Sequence, residues 1–463
     1  MADASMHKFW LFGRLKSCRE APLTLTTLAA IGLAADPSLE FQLVDESVDS
    51  VPLDCSADLV AISVLTGTAR RAYALASHFR SRGIPVVLGG IHVTLLPEEA
   101  ARYADVIVVG MAEKTWPQLL RDFKGGQMAR VYREEPVKGP WAQGIQTPRW
   151  DLQRNSGYML PYTIQVTRGC PHTCDFCTVP IVWKQYLRRP VADVIRDIKA
   201  IPARRFAIND VSPFDDVDYA KELLRAMIPL KKKWGGLATT RVADDPELLD
   251  LLRRSGCQYL LLGFESISQR SLNGIAKGFN NRQDYAEVMY RLHQAKIVVQ
   301  GCLVFGFDED EQSVFADTVD EVQRLKIDIP RYSIYTPYPG TRLFHRLQAE
   351  ERILSYDWGD YDTMHVVIQP KRMTPVALYE GFRWAYRETF RWGNTFRRAL
   401  SGGSRAPIIL AGALTYHKFS RRIDSIRGFQ QPLGGAPAAV SMACGAGDQT
   451  PLANLSADPV PSA

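Results

Sequence analysis

The sequence predicts an α/β fold with three parts: an N-terminal Rossmann-like, doubly wound domain, a partial (β/α)6 barrel of the TIM type, and a small helical C-terminal region. Short apolar runs alternate with helical patterns over residues 1–123, which is typical of a parallel sheet covered by helices. A strand, loop and helix pattern then repeats over residues 154–352, which predicts parallel strands in a barrel. The helical region is predicted at residues 353–429.

In the N-terminal domain, small residues follow the predicted strands. We place the strands at residues 8–12, 41–44, 59–63, 86–88 and 106–109, and helices at residues 23–35 and 69–82. The carboxyl edge of a doubly wound sheet is where ligands bind, and small residues let a large flat ligand approach the backbone. The candidate ligand-binding residues at this edge are Ser63, Thr66, Gly67, Gly89, Gly90, His92 and Gly110. Taken alone, such glycines commonly make only turns.

Residues 124–153 lose periodicity and collect glycine, proline and charge, which predicts a linker. In the barrel that follows, we place strands at residues 163–167, 205–208, 236–239, 259–263, 298–305 and 331–335, and helices at residues 191–200, 219–230, 246–254, 285–295 and 312–325. Chemistry in such barrels lies at the carboxyl ends of the strands. The candidates there are Asp210, Arg241, Gly263, Glu265, Ser266 and Gly306. Carboxylates at these positions can accept hydrogen bonds from hydroxyl or ammonium groups of a ligand.

Three cysteines follow the first barrel strand at spacings of four and then three: Cys170, Cys174 and Cys177. Three thiolates in one loop can hold three irons of a four-iron cluster and leave the fourth iron open to a ligand. A zinc ribbon would need a second close cysteine pair, but Cys257 and Cys302 are single. A thioredoxin-like redox pair would leave Cys170 unexplained.

The pattern Cys-x-x-x-Cys-x-Phe-Cys at residues 170–177 resembles the signature of the radical S-adenosylmethionine (SAM) superfamily. The pattern Gly-Gly-x-His-x-Thr-x-x-Pro-Glu-Glu at residues 89–99 resembles the cobalamin-binding domain that precedes the radical SAM domain in one large enzyme class. Over about residues 8–400 the chain therefore resembles the cobalamin (B12)-binding radical SAM enzymes. It departs from them in two ways: it lacks an Asp-x-His-x-x-Gly motif, and Met111 stands where relatives usually have glutamate.

The resemblance implies three cofactors: a [4Fe-4S] cluster, SAM and cobalamin. It assigns the cluster to the three cysteines and cobalamin to the seven residues of the N-terminal edge named above. SAM is assigned to Phe176, Asp210, Arg241, Gly263, Glu265, Ser266 and Gly306. No catalytic residue is implied beyond the cluster ligands. Without the Asp-x-His-x-x-Gly motif, any cobalamin would bind without a histidine ligand from it, so His92 is more simply interpreted as a loop histidine bonded to the backbone.

The implied activity is methylation of an unactivated carbon of a small-molecule or lipid-like substrate, with electrons from an external donor such as flavodoxin or ferredoxin. Cobalamin-dependent cyclisation or another radical rearrangement remains open, as does a radical SAM reaction without cobalamin. A methylthiotransferase would need three cysteines in its N-terminal domain, where only Cys18 and Cys55 lie. A cluster-binding or corrinoid-sensing protein without catalysis would not need a SAM pocket.

Composition limits the partners. The net charge of +6 is modest for 463 residues and does not indicate nucleic acid. The start of the chain lacks the pattern of a signal peptide, and the scattered remaining cysteines fit a reducing compartment, so we expect a cytoplasmic protein. Residues 430–463 are rich in glycine, alanine, proline and serine and are predicted to be a disordered tail.

Near the C-terminus, one predicted helix has an aromatic face and a basic face. The aromatic face carries Phe382, Tyr386 and Phe390, and the basic face carries Arg383, Arg387 and Arg391. The simpler interpretation is a helical cap with an apolar core side and a solvated side. The alternative is a peripheral membrane contact or a lipid-like substrate met by this face together with Arg397, Arg398, Arg421 and Arg422.

Overall fold

Two parallel sheets form the framework of the chain, in a computed structural model that describes residues 8–11, 14–134 and 145–423. The first sheet has four strands and the second has six, and every strand pair within each sheet is parallel. This confirms the predicted fold class. The predicted tail at residues 430–463 lies outside the described residues.

The N-terminal domain is doubly wound because its strands bury both faces. Val86 and Leu88 pack with helix α2, while Val87 and Val106 pack with helices α1 and α5. The strand order is β3-β4-β5-β6. The elements up to this sheet's end are β1 Lys8–Leu11, β2 Arg14–Glu20, α1 Leu23–Ala35, β3 Val60–Ser63, α2 Ala69–Ser81, β4 Val86–Gly89, α3 Ile91–Leu95, α4 Pro97–Ala100, β5 Val106–Val109, α5 Thr115–Lys124 and β6 Val131–Arg133.

Three predictions for this half differ from the structure. Residues 41–44 are not a strand, because Phe41 packs against α1 and α5 from an irregular segment. The strand predicted at residues 8–12 does not join the four-stranded sheet. It forms an antiparallel hairpin with β2, which pairs with β7, Tyr158–Leu160. Residues 131–133, predicted to be linker, form β6 at the sheet edge.

The six-stranded sheet is the predicted partial barrel, in the order β15-β14-β13-β12-β11-β8. Five of its helices or adjoining helices begin at side chains that cap a backbone N–H: Asp216, Asp245, Ser268, Thr341 and Thr374. The elements are β8 Thr163–Ile164, β9 Thr167–Arg168, α6 Val179–Val182, β10 Leu187–Arg188, α7 Val191–Ala200, β11 Arg205–Ile208, α8 Val217–Met227, β12 Lys233–Ala238, α9 Pro246–Ser255, β13 Cys257–Glu265, α10 Gln269–Gly274, α11 Tyr285–Gln294, β14 Val298–Phe305, α12 Val314–Arg324, β15 Ile329–Ile334 and α13 Arg342–Ala349.

Three C-terminal helices pack beside the outermost barrel strand: α14 Pro375–Thr389, α15 Trp392–Ser401 and α16 Ala406–Arg422. The hydroxyl of Tyr386 donates to the backbone oxygen of Tyr332 at 2.8 Å and accepts from its N–H at 3.0 Å. The open edge of β15 is thereby hydrogen-bonded, which limits pairing with another chain. Phe382, Tyr386 and Phe390 are completely buried, as expected for a core face. Among the described residues, no helix is both long and apolar enough to cross a bilayer.

Candidate active site

The cysteine loop leaves the first barrel strand through a glycine with a positive φ. The φ of Gly169 is +85°, and a Cβ there would overlap the backbone of Gln185. The strand predicted at residues 163–167 is interrupted, because Asp210 accepts hydrogen bonds from the N–H groups of Val166 at 2.8 Å and Thr167 at 2.6 Å. The chain then pairs as β9 with β10, and this pairing holds the start of the loop.

The three cysteines lie close enough to influence one another electrostatically, and all are partly buried. Burial raises the pKa of Cys174 to about 12, and the neighbouring Cys177 and Cys170 add to this increase while Lys277 opposes it. Burial also raises the pKa of Cys177. Thiolates here therefore require a positive partner, which iron supplies. No group of three or more His, Cys, Asp or Glu side chains in the described part has the arrangement of a single-ion site. Cluster ligands bind separate irons and do not need that arrangement.

Residues within the loop attach it to the barrel. Asp175 accepts hydrogen bonds from the Tyr335 hydroxyl at 2.8 and 2.9 Å, and the ring of Phe176 packs edge-on against the same tyrosine. His172 contacts Asp215 at 2.9 Å and stacks on Phe279 with ring centroids 3.9 Å apart. These contacts fix the loop between the first and last barrel strands.

The carboxyl end of β13 places a buried ion pair beside the cysteines. Glu265 has a φ of +63°, and its carboxylate lies 2.5 Å from the Nζ of Lys277. A Cβ at Gly263 would lie 2.7 Å from the same Nζ, so the glycine leaves room for the pair. Asn280 donates to the backbone oxygen of Gly263 at 2.8 Å and holds this end of the strand. Lys277 acts electrostatically on both Cys174 and Cys177, so the pair faces the cluster loop.

Lys277 was missed by the sequence analysis. It lies in a loop twelve positions after Glu265, without periodicity or a metal-ligand pattern. The signal that could have drawn attention to it is a single lysine before Gly278 and Phe279 in a segment otherwise poor in charge.

Several predicted SAM residues have other contacts in the structure. The buried Asp210 stabilises the interrupted first strand instead of presenting its bonded oxygen to a ligand, and burial raises its pKa to about 7. Arg241 is exposed. The hydroxyl of Ser266 accepts a hydrogen bond from the N–H of Ser268 at 3.0 Å. Gly306 ends β14 with a φ of +101°. Besides Phe176 within the cysteine loop, Glu265 is the predicted SAM residue that acts electrostatically on Cys174 and Cys177.

The three N-terminal loops come together at one sheet edge, as predicted. Gly90 has a φ of +100°, and a Cβ there would lie 2.8 Å from the backbone nitrogen of Val64. The hydroxyl of Thr94 accepts from the N–H of Gly110 at 3.0 Å, which joins the second and third loops. Ser63, Thr66, Gly67 and Gly89 lie at the same edge. Leu65 was not predicted as a site residue, yet it is 53% exposed there and offers an apolar contact to a flat ligand.

His92 has no exposed surface, so its side chain is not available to a ligand at this edge. It contacts the hydroxyl of Tyr73 at 3.0 Å and Glu99 at 3.4 Å, and packs edge-on against Trp358. This corrects its assignment as a side-chain contact to cobalamin. It also corrects the backbone-bonded interpretation, because its partners are side chains. The indole of Trp358 donates to both Glu99 oxygens at 3.0 Å. The side-chain contacts among His92, Glu99 and Trp358 therefore link the two halves of the chain.

The carboxyl edges of the two sheets face each other. Helix α3, which follows Gly90, contacts α6, which follows Cys177. Arg168, two residues before the first cysteine, forms an ion pair with Glu113 of the third N-terminal loop at 2.5 Å. Both side chains are largely buried. A ligand on the N-terminal edge would therefore lie next to the cysteine loop.

Two family models match the chain in the order the fold shows. The model of the B12 binding domain matches residues 31–120, and the model of the Radical SAM superfamily matches residues 164–321. These ranges contain the two sheets and both candidate ligand edges. The fold and site thus define a radical SAM enzyme with an N-terminal B12-binding domain.

Two curated relatives match most of the chain, both from Chlorobaculum tepidum. Bacteriochlorophyllide d C-12(1)-methyltransferase is 31% identical over 87% of this chain and 91% of the relative. Bacteriochlorophyllide d C-8(2)-methyltransferase is 30% identical over 82% of this chain and 88% of the relative. The chain belongs to the family of cobalamin-dependent radical SAM methyltransferases.

A solved structure shows the same fold. The radical S-adenosylmethionine methyltransferase TsrM from Kitasatospora setae, with cobalamin and a [4Fe-4S] cluster bound, is similar with a TM-score of 0.60 at 17% identity. The similarity covers 79% of this chain and 82% of that one.

Proposed function

We propose that this chain uses a [4Fe-4S] cluster, SAM and cobalamin to methylate an unactivated carbon of a tetrapyrrole. The observation that carries the proposal is the approach of the two sheet edges, with Arg168 paired to Glu113 and α3 against α6. Methyl transfer to carbon requires the methyl source and the hydrogen-abstracting group to reach one substrate atom. This arrangement meets that requirement within one chain.

The residues fit the three groups. Cys170, Cys174 and Cys177 would hold three irons of the cluster, since they lie in one loop, and Cys170, Cys177 and the buried Lys277 all act electrostatically on Cys174. Glu265 would accept hydrogen bonds from SAM, and Lys277 would orient that carboxylate. When bound, the cluster and SAM together supply a radical that removes hydrogen, and cobalamin supplies the methyl group.

The cobalamin edge fits a large flat ligand for three reasons. A Cβ at Gly110 would have only the backbone oxygen of Glu134 within 4 Å, Leu65 is exposed, and the buried side chain of His92 does not occupy the edge. We assign this edge to cobalamin bound without a histidine ligand from the chain.

The acceptor class is supported by the two relatives, which by name act on bacteriochlorophyllide d and match nearly the whole length.

An anaerobic reconstitution tests the proposal. The full chain is loaded with iron, sulfide and hydroxocobalamin, freed of unbound ligand, and incubated with SAM, a reductant and bacteriochlorophyllide d. We expect about four irons and one cobalamin per chain, together with 5′-deoxyadenosine and a singly methylated pigment. Retained iron without cobalamin, or a cyclised product of unchanged carbon count, would contradict the methyltransferase assignment. Cys174→Ala serves as the control that should lose iron and activity.

We further propose that a flavodoxin or ferredoxin delivers the electrons, which would place the reaction in the cytoplasm.

We also propose peripheral membrane contact, but through α15 rather than the basic face of α14. Trp392, Phe396 and Leu400 form an exposed stripe at a spacing of four residues. Arg398 does not contribute to a basic surface, because it is buried against the ring of Phe390.

A further inference from the structure

Arg331 lies on the inner face of the barrel, level with Gly263 near the carboxyl end of β13. Gly263, Cys302 and Arg331 are register partners on β13, β14 and β15. Register partners in a parallel sheet point to the same face. Gly263 faces Lys277 and Glu265, so Arg331 shares their face. Two strand spacings of about 4.8 Å place its Cα roughly 10 Å from that of Gly263.

Within the part of the chain that the structure describes, Arg331 lacks an acidic partner. Among the described residues its side chain forms no ion pair or hydrogen bond, and its Nε is buried without an acceptor. The groups that act most strongly on its guanidinium are the phenols of Tyr416, Tyr386 and Tyr259 and the thiol of Cys302. The side chain is partly exposed and its Nε is buried without an acceptor, so an anion that reaches the guanidinium would gain a favourable contact.

The chemistry of the side chain selects the anion. A guanidinium offers a planar fork of N–H donors that matches a carboxylate in a two-point contact. The phenols near the guanidinium contribute aromatic rings. The hydrogen bonds from Tyr259 to Gln300 and from Gln300 to Tyr416 also make this side of the site polar. Such a site suits a carboxylate carried on a large apolar body better than a neutral lipid.

We propose that Arg331 binds a carboxylate of the methyl acceptor and so sets the orientation of the acceptor in the barrel. The inference rests on the proposed function, which it deepens by requiring an acidic acceptor. Bacteriochlorophyllide d carries a free carboxylic acid and meets this requirement. An acceptor anchored at Arg331 extends toward Gly263, about two strands away.

The test is an anaerobic binding titration of the reconstituted full chain with SAM but without reductant, so that no turnover occurs. Bacteriochlorophyllide d and its methyl ester are compared through the change in pigment absorption. We expect the wild-type chain to bind the acid at least about tenfold more tightly than the ester, since hydrogen bonds to charged groups are strong. Arg331→Met should remove this preference by weakening the acid alone. Arg331→Lys should retain part of it.

The control is Arg324→Gln, which changes an exposed arginine paired with Glu321 on α12. It should bind both pigments like the wild type. Iron content and SAM affinity of Arg331→Met should also equal those of the wild type, which shows that the variant is folded. Equal binding of acid and ester by the wild type, an acid preference that survives in Arg331→Met, or binding of neither pigment would overturn the inference. An acid preference without any methylated product on reduction would instead contradict only the proposed methyl transfer.

Discussion

At the cysteine loop, each thiol has a different environment, but all three are expected to be required for the cluster. Each of the variants Cys170→Ala, Cys174→Ala and Cys177→Ala should lose most of the bound iron and the cleavage of SAM. The cluster needs three thiolates from the chain, and the loop has only these three cysteines. Iron content and the visible absorption after reconstitution are the measurements. Cys55→Ala, in the N-terminal domain, is the matched control and should keep both. A loop variant with wild-type iron and activity would remove that cysteine from the ligand set.

Lys277 gives a second prediction at this scale. Lys277→Met should weaken SAM binding by about tenfold or more without loss of iron, because it leaves the buried carboxylate of Glu265 without its cation. The double variant Lys277→Met, Glu265→Gln should bind SAM better than the single lysine variant, since no buried charge is then unpaired. Equilibrium binding of SAM to the iron-loaded chain measures this. Equal affinity for wild type and Lys277→Met would contradict a positioning role.

From the sequence, candidate residues could be predicted where a role depends on the spacing of nearby residues along the chain. Cys170, Cys174 and Cys177 lie in one loop, and Glu265 lies at the carboxyl end of β13. That they bind a cluster and SAM stays a prediction. The sequence could not predict Lys277 or Arg331, because their importance comes from neighbours that only the fold brings near. Asp210 shows the reverse case: a carboxylate at a strand end was predicted to meet a ligand, but backbone N–H groups take one of its oxygens.

Helix α15 carries a prediction at the scale of one element. Trp392, Phe396 and Leu400 are 45%, 52% and 83% exposed, and Arg391 and Arg397 are also exposed. An apolar stripe beside arginines is suited to the interface of an anionic bilayer. We expect the chain to sediment with vesicles containing phosphatidylglycerol, less with neutral vesicles, and less in high salt.

The triple variant Trp392→Ser, Phe396→Ser, Leu400→Ser should lose most vesicle binding, because it removes the exposed apolar stripe. The control Val217→Ser changes an exposed apolar residue on α8, in the barrel, and should bind like the wild type. Wild-type binding by the triple variant would show that α15 is not the contact.

Element prediction succeeded where periodicity and burial agree. The six barrel strands were predicted because buried apolar runs alternate with amphipathic helices. The segment at residues 41–44 has an apolar pattern like that of a strand. It is irregular in the structure, and the side chain of Phe41 packs between α1 and α5. β6 was missed because it is only three residues long and lies in a region rich in turn-forming residues.

Across the whole molecule, the ion pair of Arg168 and Glu113 is one of the links between the two sheet edges. Its side chains are only 12% and 13% exposed, so removal of one partner leaves a poorly solvated charge, at a cost of roughly 1–3 kcal/mol. The pair lies between the cysteine loop and the third N-terminal loop. Its loss should therefore misalign the two cofactor edges more than it unfolds either domain.

We expect Glu113→Gln to raise the amount of 5′-deoxyadenosine formed per methylated product several-fold. SAM cleavage needs only the barrel, whereas methyl transfer needs both edges aligned. The iron and cobalamin content should stay near that of the wild type. The charge exchange Arg168→Glu, Glu113→Arg should restore part of the coupling. Arg70→Gln is the matched control: it breaks another ion pair between the halves, with Asp357, but one whose arginine is 73% exposed and therefore contributes little. An unchanged product ratio in Glu113→Gln would show that the alignment of the edges does not depend on this pair, and that other contacts between the halves, such as the shared core around Trp358, are enough to maintain it.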